Sequence, residues 1–381
     1  MSDCKHFIDG ACVVVGGLCD AVVEVDEETC QICSKSDRPG PRQRNVVTAS
    51  AAVRWMRENA PDKIESKMGV LREYLSGCNK SKGPKNLLLT CGLCPGDIMT
   101  MTAAVRSMHE AYPGTWTIGV KTTCQEIWDN NPDVVPLDTC DKPFPISMSY
   151  TDQCNRSNQS GYPFITAYLR FLESVLGVSI PLAVNRPLLY LSDEERGWIS
   201  QVAEIAGKTV PYWIVNAGVK DDYTAKQWPI EYYQEVVDRT RHQVEWVQVG
   251  ESGHDHPALS GVLDLRGKTS SREFIRLVYH SQGGIGPVTF LQHVCAAWEK
   301  PYVCLLGGRE PVTWVSYPKQ HTLHTIGSLD CCREKACWRS KIVGDGDSLC
   351  ELPVLSGVRP VGRCMQIIKP SEVISILERF L

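Results

Sequence analysis

The chain has 381 residues, 18 of them cysteine, and 40 Lys plus Arg against 44 Asp plus Glu leave a net charge of −4. The cysteine share lies under the roughly 8–10% of a small disulfide-stapled scaffold, and a chain of this length buries a core without staples. The slightly acidic balance gives no electrostatic support for nucleic acid or an anionic membrane as partner, and no apolar run approaches the roughly 20 residues of a membrane span.

The first residues, MSDCKHFIDGACVVVGG, lack the basic start and long apolar stretch of a secretory signal, so a cytoplasmic chain with reduced thiols is expected. Residues 1–45 form a Cys-rich unit. Cys30-Gln-Ile-Cys33 has the spacing that lets two thiolates face one ion, and Cys4 and Cys12 complete four ligands, with Cys19 or His6 as replacements. VVV at 13–15 and VVEV at 22–25 read as short strands between them. A basic, turn-rich stretch, SKSDRPGPRQR, closes the unit.

A helical pattern covers 46–80. NLLLT at 86–90 is a short buried strand between turn signals. Ile98, Met101, Ala104, Val105 and Met108 then share one helix face. TWTIGV is the next strand, and FITAYLRFLESVLG is a helix closed by Gly177. After a boundary near 181–195 the alternation resumes. YWIVNAG is a strand, PIEYYQEVVDRTR a helix starting at Pro229, VEWVQVG a strand and SSREFIRLVYH a helix opened by Ser. TFLQHVCAAWEK is a helix and PYVCLLGG a strand. Alternating strands and helices imply parallel sheets with both faces covered. Two such doubly wound units predict a ligand cleft between them.

Beyond the last strong strand, Cys331, Cys332, Cys337, Cys350 and Cys364 punctuate a segment poor in apolar residues. Four of these thiolates on one tetrahedral ion would hold such a segment, with zinc as the default and iron as the alternative. Both Cys-rich sites are expected to be closed and structural.

Several residues fall where ligands bind in open α/β sheets, at strand ends before helices. Asp97 follows strand NLLLT at a helix start, where capping alone also explains an Asp. Gly218 permits a close turn after YWIVNA, and Lys220 and Lys226 flank the polar loop that follows, where a lysine suits a phosphate. Gly283-Gly284-Ile285-Gly286-Pro287 reads as a Gly-rich turn into the helix that carries His293. Gly307-Gly308-Arg309-Glu310-Pro311 is a turn at the same edge. His254-Asp255-His256 reads as a polar loop and Asp345-Gly346-Asp347 as a turn.

The order of these segments resembles glycosyltransferase family 9, which includes the ADP-heptose lipopolysaccharide heptosyltransferases. CGLCPGDIMTMTAAVRSMHEAYPG is similar to that family's "GD, helix, YP" opening. AKQWPIEYYQEVV is similar to its K-x-W-P segment, VGES to its ribose-contacting strand end, and GPVTFLQHVCAAWEKPYVCLLGG to its G-P-x-H stretch. The resemblance spans roughly 86–320. It implies a GT-B fold of two Rossmann-like domains: an acceptor domain at 46–185 and a nucleotide-sugar donor domain at 186–328. A Cys-rich metal-binding segment with a C-terminal helix follows at 329–381.

It also implies inverting transfer from a nucleotide-diphosphate sugar, ADP-heptose first among donors, without a catalytic metal. The acceptor is left open between a saccharide and a protein side chain. By the resemblance, Asp97 is the general base and Lys226 stabilises the leaving diphosphate. Glu251 contacts the ribose, and Gly218, Gly286, Pro287 and His293 line the donor site. Some relatives carry a four-Cys metal site near the C-terminus, and Cys332, Cys337, Cys350 and Cys364 look similar to it. Many relatives also place an Asp before the G-P turn, where this chain has Gly284 and Ile285. Two other readings stay open: a non-catalytic nucleotide-sugar-binding protein, and a redox or iron–sulfur protein using Cys91 and Cys94.

Overall fold

The computed structural model describes the backbone at 7–8 and 11–12, and residues 85–381 apart from 199, 208, 345 and 347. Strands β1 (Phe7–Ile8) and β2 (Ala11–Cys12) pair antiparallel, with Phe7 opposite Cys12. The expected ligand set Cys4, Cys12, Cys30 and Cys33, with Cys19 and His6, otherwise lies outside the described residues. So does the helical pattern at 46–80.

The first sheet is built on the apolar run at 86–90. Strand β3 (Lys85–Cys91) buries Leu87, Leu89 and Cys91 and lies between β4 (Trp116–Thr122) and β5 (Phe144–Ser147), all parallel. Between β3 and β4 runs helix α1 (Pro95–Ala111). The expected face of Ile98, Met101, Ala104, Val105 and Met108 is buried, but so are Met99, Thr100, Thr102, Ala103 and Ser107. α1 is therefore covered on both sides, and its buried hydroxyls are satisfied. Thr102 donates to Met99 O and accepts from Leu188 N, and Ser107 donates to Ala103 O and accepts from Ala183 N. Helices α2 (Thr151–Arg156) and α3 (Ala167–Leu176) follow β5, and α3 ends at Gly177 with φ +67°, as its sequence predicts.

Residues 178–192 carry no helix or strand. Short helices α4 (Asp193–Gly197) and α5 (Gln201–Ala206) lead into the second sheet. Its strands are β6 (Tyr212–Val215), β7 (Glu245–Gln248), β8 (Leu263–Asp264), β9 (Gly283–Gly286), β10 (Tyr302–Gly307) and β11 (Gln320–His324). They are all parallel, in the order β11-β10-β9-β6-β7-β8. The order reverses between β6 and β9, which opens a crevice at their carboxyl ends. Helices α6 (Ile230–Thr240), α7 (Ser271–His280), α8 (Phe290–Ala297) and α9 (Val312–Val315) connect the strands. Pro229 is the cap residue before α6, and Ser270 caps α7 by accepting from Glu273 N.

Gly283–Gly286 corrects the sequence reading: it is a buried central strand, not a turn. Its neighbours are too large for anything but glycine. A Cβ on Gly283 would lie 2.6 Å from Pro301 O and 2.7 Å from the Trp213 ring. The bulk that fills this part of the core comes from Trp213 and Tyr302 on the flanking strands, so β9 itself carries little apolar signal.

A hairpin, β12 (Pro353–Ser356) with β13 (Arg359–Gly362), and helices α10 (Arg363–Ile367) and α11 (Pro370–Leu377) end the chain. Met365, Ile368, Val373, Ile374 and Leu377 pack with Trp228, Tyr233, Val236 and Val237, so the C-terminal helix belongs to the second sheet's core. The segment before β12 reaches the first sheet's side. Asn158 and the Ala336 backbone exchange two hydrogen bonds of 2.9 and 3.0 Å, and Trp338 Nε1 donates to Ser157 Oγ. Among the described residues no helix is long and apolar enough to cross a membrane.

Candidate active site

The two sheets present their carboxyl ends to each other, and α1 and α8 pack together at the junction. Gly96 makes this approach possible: a Cβ there would stand 3.0 Å from His293 Cδ2 and 3.6 Å from Phe290 N. On the first sheet, β3 runs through Gly92 into Cys94, the residue before α1. Asp97 is thus the third residue of the helix rather than its cap. Its Oδ2 accepts from Cys94 N at 3.2 Å and its Oδ1 accepts from the Tyr150 hydroxyl at 3.1 Å. Burial raises the proton affinity of Asp97, while Tyr150, Lys226, the Cys94 N–H and Lys220 pull it back in part, leaving the carboxyl above its ordinary value. Lys226 and Lys220 both come from the other sheet, so the carboxyl and the lysines face one cleft.

Lys226 lies where three strand ends of the second sheet converge. It follows β6, its Nζ donates to Val288 O beyond β9 at 3.1 Å, and it pairs with Glu310 Oε1 beyond β10 at 3.0 Å. Glu310 is buried and also bonds Arg309. Burial works to raise the Glu310 carboxyl, but Arg309 and Lys226 outweigh it and hold the carboxyl below its ordinary range. The Arg309 guanidinium sits 5.3 Å from the ring centroids of both Tyr223 and Trp338. Two cations share one carboxylate here, so one positive charge is left at the cleft edge.

The remaining predicted residues separate. Gly218 is buried, and a Cβ on it would collide with His256 Nδ1 and Asp255 O. A Cβ on Gly250 would collide with the same imidazole. The His254-Asp255-His256 loop therefore lies over the ends of β6 and β7, fixed by Val219 N donating to Asp255 O and by an Asp255–Arg359 ion pair. Glu251 is exposed beside it, 3.3 Å from His254 Nδ1. Gly286 and Pro287 are at the crevice, and the Tyr302 hydroxyl donates to Pro287 O at 2.7 Å. His293 is buried behind the crevice, its Nδ1 2.8 Å from the Tyr317 hydroxyl. Burial and nearby Lys226 push its pKa down to about 3, so it is neutral. Tyr150, Tyr223 and Trp338 had no sequence signal, because each reaches the cleft from a different connection.

Cys332, Cys337, Cys350 and Cys364 are free thiols gathered around the Gly307–Gly308 turn and Gly362. Cβ atoms placed on Gly307 and Gly308 would lie 3.1 Å from Cys364 Sγ and 2.6 Å from Cys332 Sγ. One on Gly362 would lie 3.2 Å from Cys364 Sγ and 3.7 Å from Cys350 Sγ. Cys337 N donates to Gly308 O. An all-thiol set suits a soft ion. Yet among the described residues no group of three or more His, Cys, Asp or Glu is spaced to hold a metal. Asp345 and Asp347 lie outside the described residues. Cys91 and Cys94 are both free thiols, and burial raises the pKa of each, the reverse of what a redox-active dithiol at a helix start needs.

The sequence profile of glycosyltransferase family 9 (heptosyltransferase) matches residues 147–341, more than half of the chain. The chain belongs to glycosyltransferase family 9. It is a glycosyltransferase, and it moves a sugar from a nucleotide donor. Solved structures share the fold of this family 9 transferase. ADP-heptose LPS heptosyltransferase II of E. coli is 14% identical, with 77% of this chain and 98% of that one covered and a TM-score of 0.52. A family 9 glycosyl transferase from Veillonella parvula is 16% identical over 78% and 97%, with a TM-score of 0.54. The dodecameric iron-containing heptosyltransferase TibC of E. coli, in complex with ADP-D-beta-D-heptose, is 14% identical over 78% and 77%, with a TM-score of 0.51. No curated protein matches the family 9 chain in sequence.

Proposed function

We propose that this enzyme is an inverting transferase in which Asp97 is the general base and Lys226 stabilises the leaving diphosphate. The supporting observation is that the two groups come from different sheets and meet at their junction, the ammonium held at three strand ends and near enough to lower the proton affinity of the buried carboxyl. In the transfer, Asp97 takes the proton of an acceptor hydroxyl. The acceptor oxygen forms its bond to the anomeric carbon as the bond from that carbon to the diphosphate oxygen breaks. The electron pair leaves with the nucleoside diphosphate, and the single displacement inverts the anomeric centre. On this reading, the net positive charge of the Lys226–Glu310–Arg309 group stabilises the negative charge developing on the leaving diphosphate, an electrostatic contribution made without reorganisation.

ADP-heptose is the first candidate donor, in line with the ligand named for TibC and the activity named for the E. coli enzyme. Exposed Glu251 suits a ribose hydroxyl, and the backbone at Gly286 and Pro287 lies at the crevice a nucleotide would enter, whereas Gly218 is covered by the His254–His256 loop. The acceptor is a hydroxyl on a saccharide or a protein side chain, and the reaction is cytoplasmic. Cys332, Cys337, Cys350 and Cys364 would hold a structural ion, zinc or iron, after their thiols close further. Its contribution is to tie the 330–364 segment to the turn that carries Arg309 and Glu310.

A thermal-shift panel of nucleotide-diphosphate sugars tests the donor. A ligand at 100 times its Kd stabilises the protein by about 2.7 kcal/mol. ADP-heptose should raise Tm and be consumed. A panel in which no nucleotide sugar shifts Tm or turns over contradicts the assignment. Metal analysis of the same preparation should find about one equivalent of zinc or iron, lost when Cys350 and Cys364 are both changed to Ser.

A further inference from the structure

Among the described residues the Asp97 carboxylate has one side-chain hydrogen-bond partner, Tyr150, which reaches it from 53 residues away. Tyr150 stands just before α2, and its ring is wedged by three others. Phe164 meets it edge-on with centroids 4.8 Å apart, Tyr168 at 5.6 Å, and Trp314 at 6.5 Å in a tilted contact. Phe164 in turn stacks on Trp314 at 5.1 Å. Phe164 and Tyr168 belong to the first sheet's side and Trp314 to α9, after β10. The phenol cannot swing aside without losing ring contacts to both sheets' sides. Its hydroxyl is thus a fixed donor aimed at Oδ1, while Cys94 N fixes Oδ2.

We propose that Tyr150 is a positioning residue for the transfer, its hydroxyl, locked by Phe164, Tyr168 and Trp314, holding the Asp97 carboxylate ionised and oriented toward the acceptor. The proposal rests on the reading of Asp97 as base. A phenol donating to a carboxylate makes a charge-assisted hydrogen bond, which favours the ionised form and one side-chain orientation. Each oxygen keeps a lone pair for the acceptor's proton. Tyr150 retains its own proton throughout, since burial and the neighbouring Asp97 push its hydroxyl far above its ordinary range.

The other groups facing Asp97 are accounted for. Lys226 and Lys220 on the loop after β6 are the cations. Cys91, Cys94 and Cys154 on the first sheet's side are thiols raised by burial. Tyr168, Tyr223 and Tyr317 are phenols raised by burial. Neutral His293 lies against Gly96. No side chain among these donates a hydrogen bond to the carboxyl, so Tyr150 is the one to remove.

The experiment uses full-length protein carrying 13C at the aspartate carboxyl carbons. The Asp97 signal is assigned by its loss in Asp97→Asn and followed over pH in wild type and Tyr150→Phe, which keeps the ring. The midpoint should move upward in Tyr150→Phe. The acid limb of ADP-heptose turnover should move with it, and kcat should fall more than KM rises. An unshifted midpoint and unshifted acid limb, with Asp97→Asn inactive, overturn this proposal alone. Undiminished turnover in Asp97→Asn instead overturns the reading of Asp97 as base.

Discussion

Burial raises the proton affinity of Asp97 more than Tyr150, Lys226 and the Cys94 N–H lower it, and this sets two opposite pH effects. With Asp97 as the proposed base, turnover should fall as pH drops through a midpoint above the ordinary aspartate range. Stability runs the other way. The folded state binds this proton more tightly than the unfolded chain, so folding is favoured at low pH, and that contribution is lost as pH rises through the raised folded value. Asp97→Asn should therefore be as stable as wild type at pH 7 or more so, which calorimetry checks. Lys226→Met should differ, because buried Glu310 keeps only Arg309 as charge partner. A loss of roughly 1–3 kcal/mol in denaturant unfolding is expected, along with weaker donor binding. The roles proposed for Asp97 and Lys226 come from the family resemblance, because strand-to-helix position alone is equally explained by a helix-start Asp and a solvated loop lysine. Glu310 was visible only as part of a turn. Tyr150 was invisible, because its role depends on a hydrogen bond between connections that no local pattern records.

Among the elements, β9 shows where sequence pattern misleads. Gly-Gly-Ile-Gly has the composition of a turn, but it is the strand at which the second sheet's order reverses. Its glycines are demanded by Trp213, Tyr302 and the Pro301 carbonyl. Gly283→Ala should cost about 1–3 kcal/mol by overpacking, read as a lower midpoint in urea with an unchanged slope. α1 is the complementary case. Its periodicity identified the buried face correctly, but a helix packed against both α3 and α8 buries its small and hydroxyl residues as well. Periodicity finds the face that meets the nearest sheet. Burial by a second domain depends on the partner surface and leaves only small side chains as a trace.

For the whole molecule, alternating strands and helices were enough to foresee two parallel sheets. Apart from the Cys12 backbone, the N-terminal ligand set lies outside the described residues. The sheets are joined away from the cleft by Glu195, which is buried and accepts from Arg272 of α7 and from Asn130 beyond β4, while Arg272 also donates to Glu126 O. The Arg272 hydrogen bond lowers the Glu195 pKa, with burial opposing it. A depressed folded value means this contribution is present above the ordinary glutamate value of 4.5 and lost as pH falls through the folded one. Glu195→Gln should lower Tm at pH 7, and the gap to wild type should narrow in acid. The 18 cysteines, which first excluded a stapled scaffold, include four free thiols beside the turn carrying Arg309 and Glu310. The chemistry proposed for this chain rests elsewhere, on Asp97 and Lys226. Turnover of ADP-heptose by Asp97→Asn tests this most directly, with donor binding measured on the same protein. Binding within a few-fold of wild type with turnover reduced at least a hundredfold is predicted, and turnover equal to wild type would contradict it.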